Sequence, residues 1–216
     1  MNSFYKLPKV LYLSSTNKGE KLLKWLETLP CDIVFKEIND VKLTKFPLTY
    51  DLGISFLYTH KIPPSELERT HRWINFHPGP LPEFRGRNLA YHAIASKSDH
   101  FGATIHYMDK EFDTGNIIEV VRFSILTWHT AGDLVKIAHA TLEQLFKKHV
   151  PRLIKGTVDS YPQSIGNYYR RVEINEIITL TEEQETTIRA VTVAPKYYAR
   201  VVIGGKEYKI IPSDEA

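Results

Sequence analysis

Asp51-Leu-Gly-Ile-Ser-Phe-Leu57 is apolar at almost every position. A strand with one wet face alternates apolar and polar residues. An unbroken apolar run of this length belongs to a strand covered on both faces, as in a parallel sheet flanked by helices. The neighbouring sequence fits that frame. Lys9–Ser14 (KVLYLS), Asp32–Lys36 and Trp73–Phe76 (WINF) read as further strands. Gly19–Leu29 carries Leu22, Leu23, Trp25, Leu26 and Leu29 close to helical spacing, and Pro63-Pro64 opens a second, short helix. Strands alternating with helices predict an α/β fold with a mainly parallel sheet.

Further along, Asn88–Ser96 predicts a helix with Asn88 as its N-cap. Ala103–Met108 and Asn116–Ile125 read as strands flanking the polar segment Asp109–Gly115. Thr130–His149 is the strongest helix, with Leu134, Ile137, Ala138, Leu142, Leu145 and Phe146 as its apolar stripe. Thr130 caps it, and Asp133 stands three residues on. Gly156–Gln163 reads as a turn and a short strand. The character changes near Gly166. Thr187–Val193 and Tyr197–Ile211 alternate like strands, the latter around a Gly204-Gly205 hairpin signal. The expected organisation is a catalytic domain over 1–171 and a small β-rich appendage over 172–216.

The chain has 216 residues, room for one domain plus an appendage. Hydrophobic residues make up 43% and charged residues 25%, which excludes a disordered chain. The single cysteine, Cys31, excludes an intramolecular disulfide and a cysteine zinc site, and points to a reducing compartment. A net charge of +3 is too mild to demand nucleic acid but suits an anionic small substrate. No run matches a membrane span and the first residues lack a signal-peptide core, so a soluble cytoplasmic protein with no membrane partner is expected.

Several standard sites are missing from the sequence: a dinucleotide glycine fingerprint, a Walker loop, His-Glu-x-x-His and Gly-x-Ser-x-Gly. The chemistry concentrates in two stretches. The first is Asn75-Phe-His-Pro-Gly-Pro-Leu-Pro-Glu-Phe-Arg-Gly-Arg-Asn88, where a buried strand leaves the sheet. Ligands of open α/β sheets bind beyond the carboxyl ends of strands. If the strand persists, Asn75 and His77, two apart, project to one face. An amide and an imidazole aimed at one point can stabilise an oxyanion and move a proton. The bland alternative is a proline-rich loop. The second stretch is Gly102-Ala-Thr-Ile-His-Tyr-Met-Asp-Lys-Glu-Phe-Asp-Thr-Gly-Asn-Ile-Ile118, which delivers Asp109, Glu111 and Asp113 into a short loop. A carboxylate beside His77 would hold and polarise the ring.

Together, Asn-x-His-Pro-x-x-Leu-Pro-x-x-Arg-Gly from Asn75 and Gly-x-Thr-Ile-His-x-Met-Asp-x-x-x-Asp-Thr-Gly-x-Ile-Ile from Gly102 closely resemble the folate-dependent formyltransferase family. That family includes glycinamide ribonucleotide transformylase, methionyl-tRNA formyltransferase and the nucleotide-sugar N-formyltransferases. The resemblance is strong over about 50–125 and looser over the rest of 1–155, and it implies a Rossmann-like catalytic domain. It puts the family's catalytic Asn, His and Asp on Asn75, His77 and Asp113, with Asp113 36 residues after His77 as the pattern requires. It implies N10-formyltetrahydrofolate as formyl donor and no metal. The donor loops fall on Tyr58–Pro63 and Asp109–Thr114, with Tyr58, His60, Lys61, Ile62, Asp109, Glu111 and Thr114 as candidate contacts.

The acceptor is expected to be a nucleotide-linked amino sugar. Arg85, Arg87, Asn88 and Tyr91 resemble the sugar enzymes' acceptor loop, and Tyr168, Tyr169 and Arg170 could stack on a base and pair with a diphosphate. Asn17, in the Ser14–Gly19 loop, is a further acceptor candidate. The competing reading of Tyr168–Arg171 is a linker with core-facing tyrosines. Only 45 residues follow Arg171, and their glutamates make a poor tRNA footprint, so no nucleic-acid partner is expected. The tail resembles the small C-terminal unit of sugar formyltransferases, which implies a homodimer. On this reading Asn75 donates to the oxyanion, His77 stabilises it or takes the amine's proton, and Asp113 fixes His77. The implied pathway is O-antigen or capsule assembly. The alternatives are a purine or methionyl-tRNA formyltransferase, a non-catalytic folate or nucleotide-binding module, and a metal-dependent hydrolase using His77, His106 and Asp113.

Overall fold

A computed structural model describes residues 6–37, 49–156, 158–172, 177–178, 185–193, 196–203 and 206–210. Its elements in chain order are β1 (Lys9–Ser14), α1 (Asn17–Leu26), β2 (Asp32–Glu37), β3 (Leu52–Phe56), α2 (Pro64–Leu67), β4 (Trp73–His77), β5 (Phe84–Gly86) and α3 (Leu89–Ala95). After these come β6 (His100–Tyr107), β7 (Ile117–Ser124), α4 (Ala131–Lys155), β8 (Asn167–Tyr169), β9 (Ile177–Ile178), α5 (Glu185–Val191), β10 (Arg200–Ile203) and β11 (Lys206–Lys209). A six-stranded sheet runs in the order β2-β1-β3-β4-β6-β7. Its first four strands pair in parallel, and β6 lies antiparallel to β4. The fold is therefore α/β with a mixed, mainly parallel sheet. All five residues of β3 are buried, as its unbroken apolar run requires.

The chain divides into two compact units. One comprises the residues up to His77, Thr104–Val120 and Leu142–Ile165; the other comprises Pro78–Ala103, Val121–Thr141 and the residues from Gly166 on. The boundary read from the sequence at 171–172 lies inside the second unit.

In the first unit, strand alternation divides the residues between two faces. Phe146 of α4 covers one face. Its ring meets Tyr12 at 5.7 Å, Phe56 at 5.6 Å and Phe76 at 5.1 Å, with Trp25 of α1 at 5.9 Å. Such edge-on and tilted contacts add to the burial of large rings. On the other face Leu11, Leu13, Tyr50, Ile62 and Trp73 form a second apolar cluster. Trp73, Asn75 and His77 share that face by the two-residue period of β4. Gly53 stands opposite Trp73 in the ladder, and a Cβ there would sit 2.3 Å from the indole.

In the second unit, Thr130 caps α4 as its spacing predicts. Its hydroxyl accepts from Asp133 N–H at 3.2 Å, and Asp133 Oδ2 accepts in return from Thr130 N–H at 2.9 Å. β9, β10 and β11 form a small sheet in which β10 and β11 pair antiparallel, as the hairpin signal implies; Gly204 and Gly205 themselves lie outside the described residues.

Three sequence expectations are corrected. Thr187–Val193 is mostly helix α5, not strand, because Ala190 and Val191 are buried in packing with α3. The alternation that suggested a strand is overruled by that tertiary contact. The long helix runs past His149 to Lys155, since Val150 and Leu153 continue its buried stripe on either side of Pro151. Asn88 holds the N-cap position of α3, but its side chain makes no capping hydrogen bond. It sits in the left-handed region (φ 53°), and its side-chain oxygen accepts from Val172 N–H at 3.0 Å instead.

Gly53→Ala is expected to destabilise the fold by about 1–3 kcal/mol through overpacking against Trp73. Urea denaturation monitored by tryptophan fluorescence measures the change.

Candidate active site

β4 continues through His77, one residue beyond the apolar run, so Asn75 and His77 do share a face. The ladder then fixes their neighbours. Asn75 is registered opposite Ser55 on β3 and opposite His106 on β6. Three polar residues thus lie in one row across three strands, and they hydrogen-bond along it. Ser55 Oγ–H donates to Asn75 Oδ1 at 3.0 Å, and Asn75 Nδ2 lies 3.2 Å from His106 Nε2. His106 Nδ1 is 2.7 Å from the Tyr107 carbonyl, which can only accept. The ring therefore carries its proton on Nδ1, and Nε2 accepts from the Asn75 amide. Burial in the sheet pushes the His106 pKa down to about 4, outweighing the nearby Asp113 charge that acts in the other direction. His106 is neutral at pH 7.

Asp113 closes the site from the loop between β6 and β7. Its Oδ1 lies 3.4 Å from Asn75 Nδ2, 3.5 Å from His77 Nδ1 and 3.7 Å from His106 Nε2. The His77 side chain is 4% exposed and that of Asp113 12%, so this convergence is shielded from water. Asp113 adopts φ +56°, a conformation Asp tolerates better than most side chains. The three residues expected from the sequence are thus brought together. So are two the sequence reading did not place here: Ser55, unnamed there, and His106, considered there only as a metal ligand. The two-residue period of β6 could have pointed to His106, whereas Ser55 emerges only from the strand register. The Nε2 lone pair that a metal would need on His106 is occupied by the Asn75 amide. Among the described residues, no group of three or more His, Cys, Asp or Glu is arranged to hold a metal ion.

The two expected donor loops meet in the same unit, where Lys61 Nζ lies 5.1 Å from the centre of the Phe112 ring. Phe112 is exposed. Tyr58 is half-buried, its ring 5.6 Å from that of His60, and burial raises its phenol pKa. The Ile62 side chain is buried in the apolar cluster, which leaves its main chain for a ligand. Asp109 and Thr114 are engaged with each other, the Thr114 hydroxyl donating to Asp109 Oδ1, which also accepts from Glu111 N–H at 3.1 Å. They shape the loop. Glu111, His60 and Lys61 are exposed, and Asn17 is the exposed first residue of α1.

The remaining candidates belong to the second unit. β5 and β8 pair in parallel, setting Arg85 beside Tyr168 and Gly86 beside Tyr169. Gly86 has φ +102°, and a Cβ there would stand 2.1 Å from the Tyr169 carbonyl, so only glycine fits. The Tyr169 ring stacks with His92 (4.4 Å) and with Phe84 (5.5 Å), so it is engaged within its own unit. Tyr168 keeps an exposed ring, with the Arg85 guanidinium 5.9 Å from its centre. Arg87 has an exposed side chain, while its N–H donates to the Tyr169 carbonyl at 3.0 Å. Tyr91 packs edge-on against His92, and His92 Nε2 reaches the Arg170 carbonyl at 3.4 Å.

The depressed His106 pKa has a measurable consequence. Between about pH 6.5 and 4 the unfolded chain binds a proton at this position and the folded chain does not, so stability falls as pH falls through that window. His106→Gln is expected to lose this component. The difference in unfolding free energy between the two proteins should change by roughly 3 kcal/mol from pH 7 to pH 4. Denaturant titrations at a series of pH values test it.

Residues 45–150 match the family described as Formyl transferase. The methionyl-tRNA formyltransferase of Corynebacterium diphtheriae is 32% identical over 148 residues, which are 66% of this chain and 47% of that protein. The chain spans about half the length of the curated relatives it matches. Among solved structures, a 4-N formyltransferase from Francisella tularensis superposes with a TM-score of 0.79 at 22% identity, covering 94% of this chain and 96% of that one. The formyltransferase PseJ from Anoxybacillus kamchatkensis was solved with UDP-4,6-dideoxy-4-formamido-L-AltNAc and tetrahydrofolate. It has a TM-score of 0.65 at 27% identity, over 75% of this chain and 85% of that one. With the matched residues spanning both halves of the part-buried Asn75–His77–Asp113 constellation, the chain belongs over residues 45–150 to the formyl transferase family.

Proposed function

We propose that the chain catalyses transfer of a formyl group from N10-formyltetrahydrofolate to the primary amine of a nucleotide-linked amino-deoxy sugar. The observation that carries this reading is the convergence of Asn75, His77 and His106 on one carboxylate oxygen of Asp113, within 3.4–3.7 Å and largely out of water. The 27% identity to PseJ, solved with a formamido sugar nucleotide and tetrahydrofolate, supports a sugar acceptor. The meeting of Lys61 with the exposed Phe112 ring supports the donor site, since an exposed aromatic face and loop main chain suit a flat heteroaromatic group.

The donor supplies a formyl carbon whose bond to nitrogen is exchanged for one to the acceptor amine. The protein's part follows from the geometry. Asn75 has one amide hydrogen committed to His106. The other, in the longer contact to Asp113, turns to the formyl oxygen as negative charge develops there. Because Ser55 holds Oδ1, the amide presents a hydrogen to that oxygen, not its own oxygen. His77 exchanges a proton with the acceptor amine, and Asp113 stabilises the positive charge that forms on the ring. In the second unit, the exposed Tyr168 ring with Arg85 beside it offers a surface for a base and a diphosphate. Pairing of two chains through the β9–β10–β11 sheet, whose outer strands pair with no further strand among the described residues, and a place in surface-polysaccharide assembly belong to the same proposal.

A methionyl-tRNA acceptor is the second reading, favoured by the 32% identity to the Corynebacterium diphtheriae enzyme. A panel of UDP-, dTDP- and GDP-linked amino sugars, run beside methionyl-tRNA with N10-formyltetrahydrofolate, decides between them. Turnover of a sugar nucleotide is expected; turnover of tRNA alone would replace the first reading with the second. Asn75→Ala, His77→Ala and Asp113→Ala should each lower kcat by about 10²–10⁴ while sugar-nucleotide binding, measured by calorimetry, persists. Near wild-type turnover in any of them contradicts its assigned role.

A further inference from the structure

Gln163 lies beyond α4, at the end of a stretch whose sequence reads as a turn and a short strand. Its side-chain amide donates to two main-chain carbonyls, those of Asp113 at 3.1 Å and Gly115 at 2.7 Å. Both acceptors belong to the loop that carries Asp113, and they bracket Thr114. Carbonyls only accept, so the amide must turn its nitrogen toward them; Oε1 is left buried with no partner among the described residues. The clamp is itself anchored two residues earlier, where Tyr161 and Ile117 exchange main-chain hydrogen bonds of 2.8 and 2.9 Å at the start of β7. Gln163 therefore reaches a loop whose far end is fixed to its own strand.

The loop corner it grips is the one under strain. Asp113 sits at φ +56°, and Gly115 packs so closely on the Tyr107 carbonyl that a Cβ would come within 2.0 Å. The hydrogen bonds among Asp109, Glu111 and Thr114 are internal to the loop and shape it. From outside it, Lys61 lies over the Phe112 ring, and the Asp113 carboxylate reaches Asn75 and His77. Holding the carbonyls on both sides of Thr114 restricts the Asp113 and Thr114 torsions, and with them the direction in which the carboxylate points.

We propose that Gln163 is a positioning residue, which holds the Asp113 carboxylate within reach of His77 and Asn75 by pinning the loop corner that bears it. Its kinetic consequence rests on the formyl-transfer reading above.

Gln163→Met keeps length and bulk but has no donors, and Gln163→Glu keeps the outline while setting a carboxylate against two carbonyls. Two measurements apply. Hydrogen–deuterium exchange should speed up at least tenfold in 109–116, with exchange across β1, β3 and β4 unchanged. Formyl transfer should lose about 10–100-fold in kcat with the acceptor KM within threefold, the scale of a misplaced catalytic group. A double-mutant cycle shows whether the loss runs through Asp113: in an Asp113→Asn background, Gln163→Met should change single-turnover rates less than twofold. Unchanged kcat in both variants, fully additive losses in the cycle, or unaltered exchange in 109–116 would each overturn the proposal. If wild-type protein formylates no acceptor, the functional reading fails on its own. The exchange measurement still decides whether Gln163 pins the loop.

Discussion

The site depends on the hydrogen-bonded row Ser55–Asn75–His106, which is a product of strand register. β3 and β6 flank β4 so that a hydroxyl, a carboxamide and an imidazole stand at one level of the sheet. A buried carboxamide without partners would be costly, and a slip of one residue in either ladder would send its partners to the opposite face. In register, each group is satisfied by the next, and the chain of donors ends on the Tyr107 carbonyl. The direction of the row matters as much as its existence. It begins with a hydroxyl donor and ends with a carbonyl acceptor, so the Asn75 amide has one favourable orientation.

The rest of the first unit makes that row possible. Phe146 fills the opposite face of the sheet against Tyr12, Phe56 and Phe76, which leaves the Asn75 face free for a second apolar cluster and, at the carboxyl end of β4, for chemistry. His106 contributes by staying uncharged. Buried as it is, it adds an acceptor beside Asp113 without adding a positive charge that would compete with His77 for the carboxylate. Asp113 is left facing one ring able to take up charge and one amide able to release a hydrogen.

The sequence was legible where a single local rule governs. The apolar run of β3 announced burial on both faces, the Thr130–Asp133 pair announced the start of α4, and the i, i+2 spacing of Asn75 and His77 announced a shared face. The matched motifs located Asp113. What stayed hidden depends on pairings between distant segments. Ser55 is one polar residue in an apolar strand until the ladder sets it opposite Asn75, and Gln163 merely ends a turn and short strand until its amide is seen to span two carbonyls. Thr187–Val193 misled because its alternation suits a strand, whereas packing against α3 decides for helix. Tyr169 shows the same dependence: an aromatic next to arginines suggests a ligand, and only the folded unit shows its ring stacked with Phe84 and His92.

The most direct probe of the row is the protonation state of one ring. Nitrogen-15 NMR of histidine-labelled protein, with His106 assigned by comparison to His106→Gln, reads which nitrogen carries the proton. The row requires a neutral ring protonated on Nδ1, with a bare Nε2, unchanged from pH 7 to pH 5. A ring protonated on Nε2, or one that becomes imidazolium over that range, could not accept from Asn75, and the account of how the amide is aimed would be wrong.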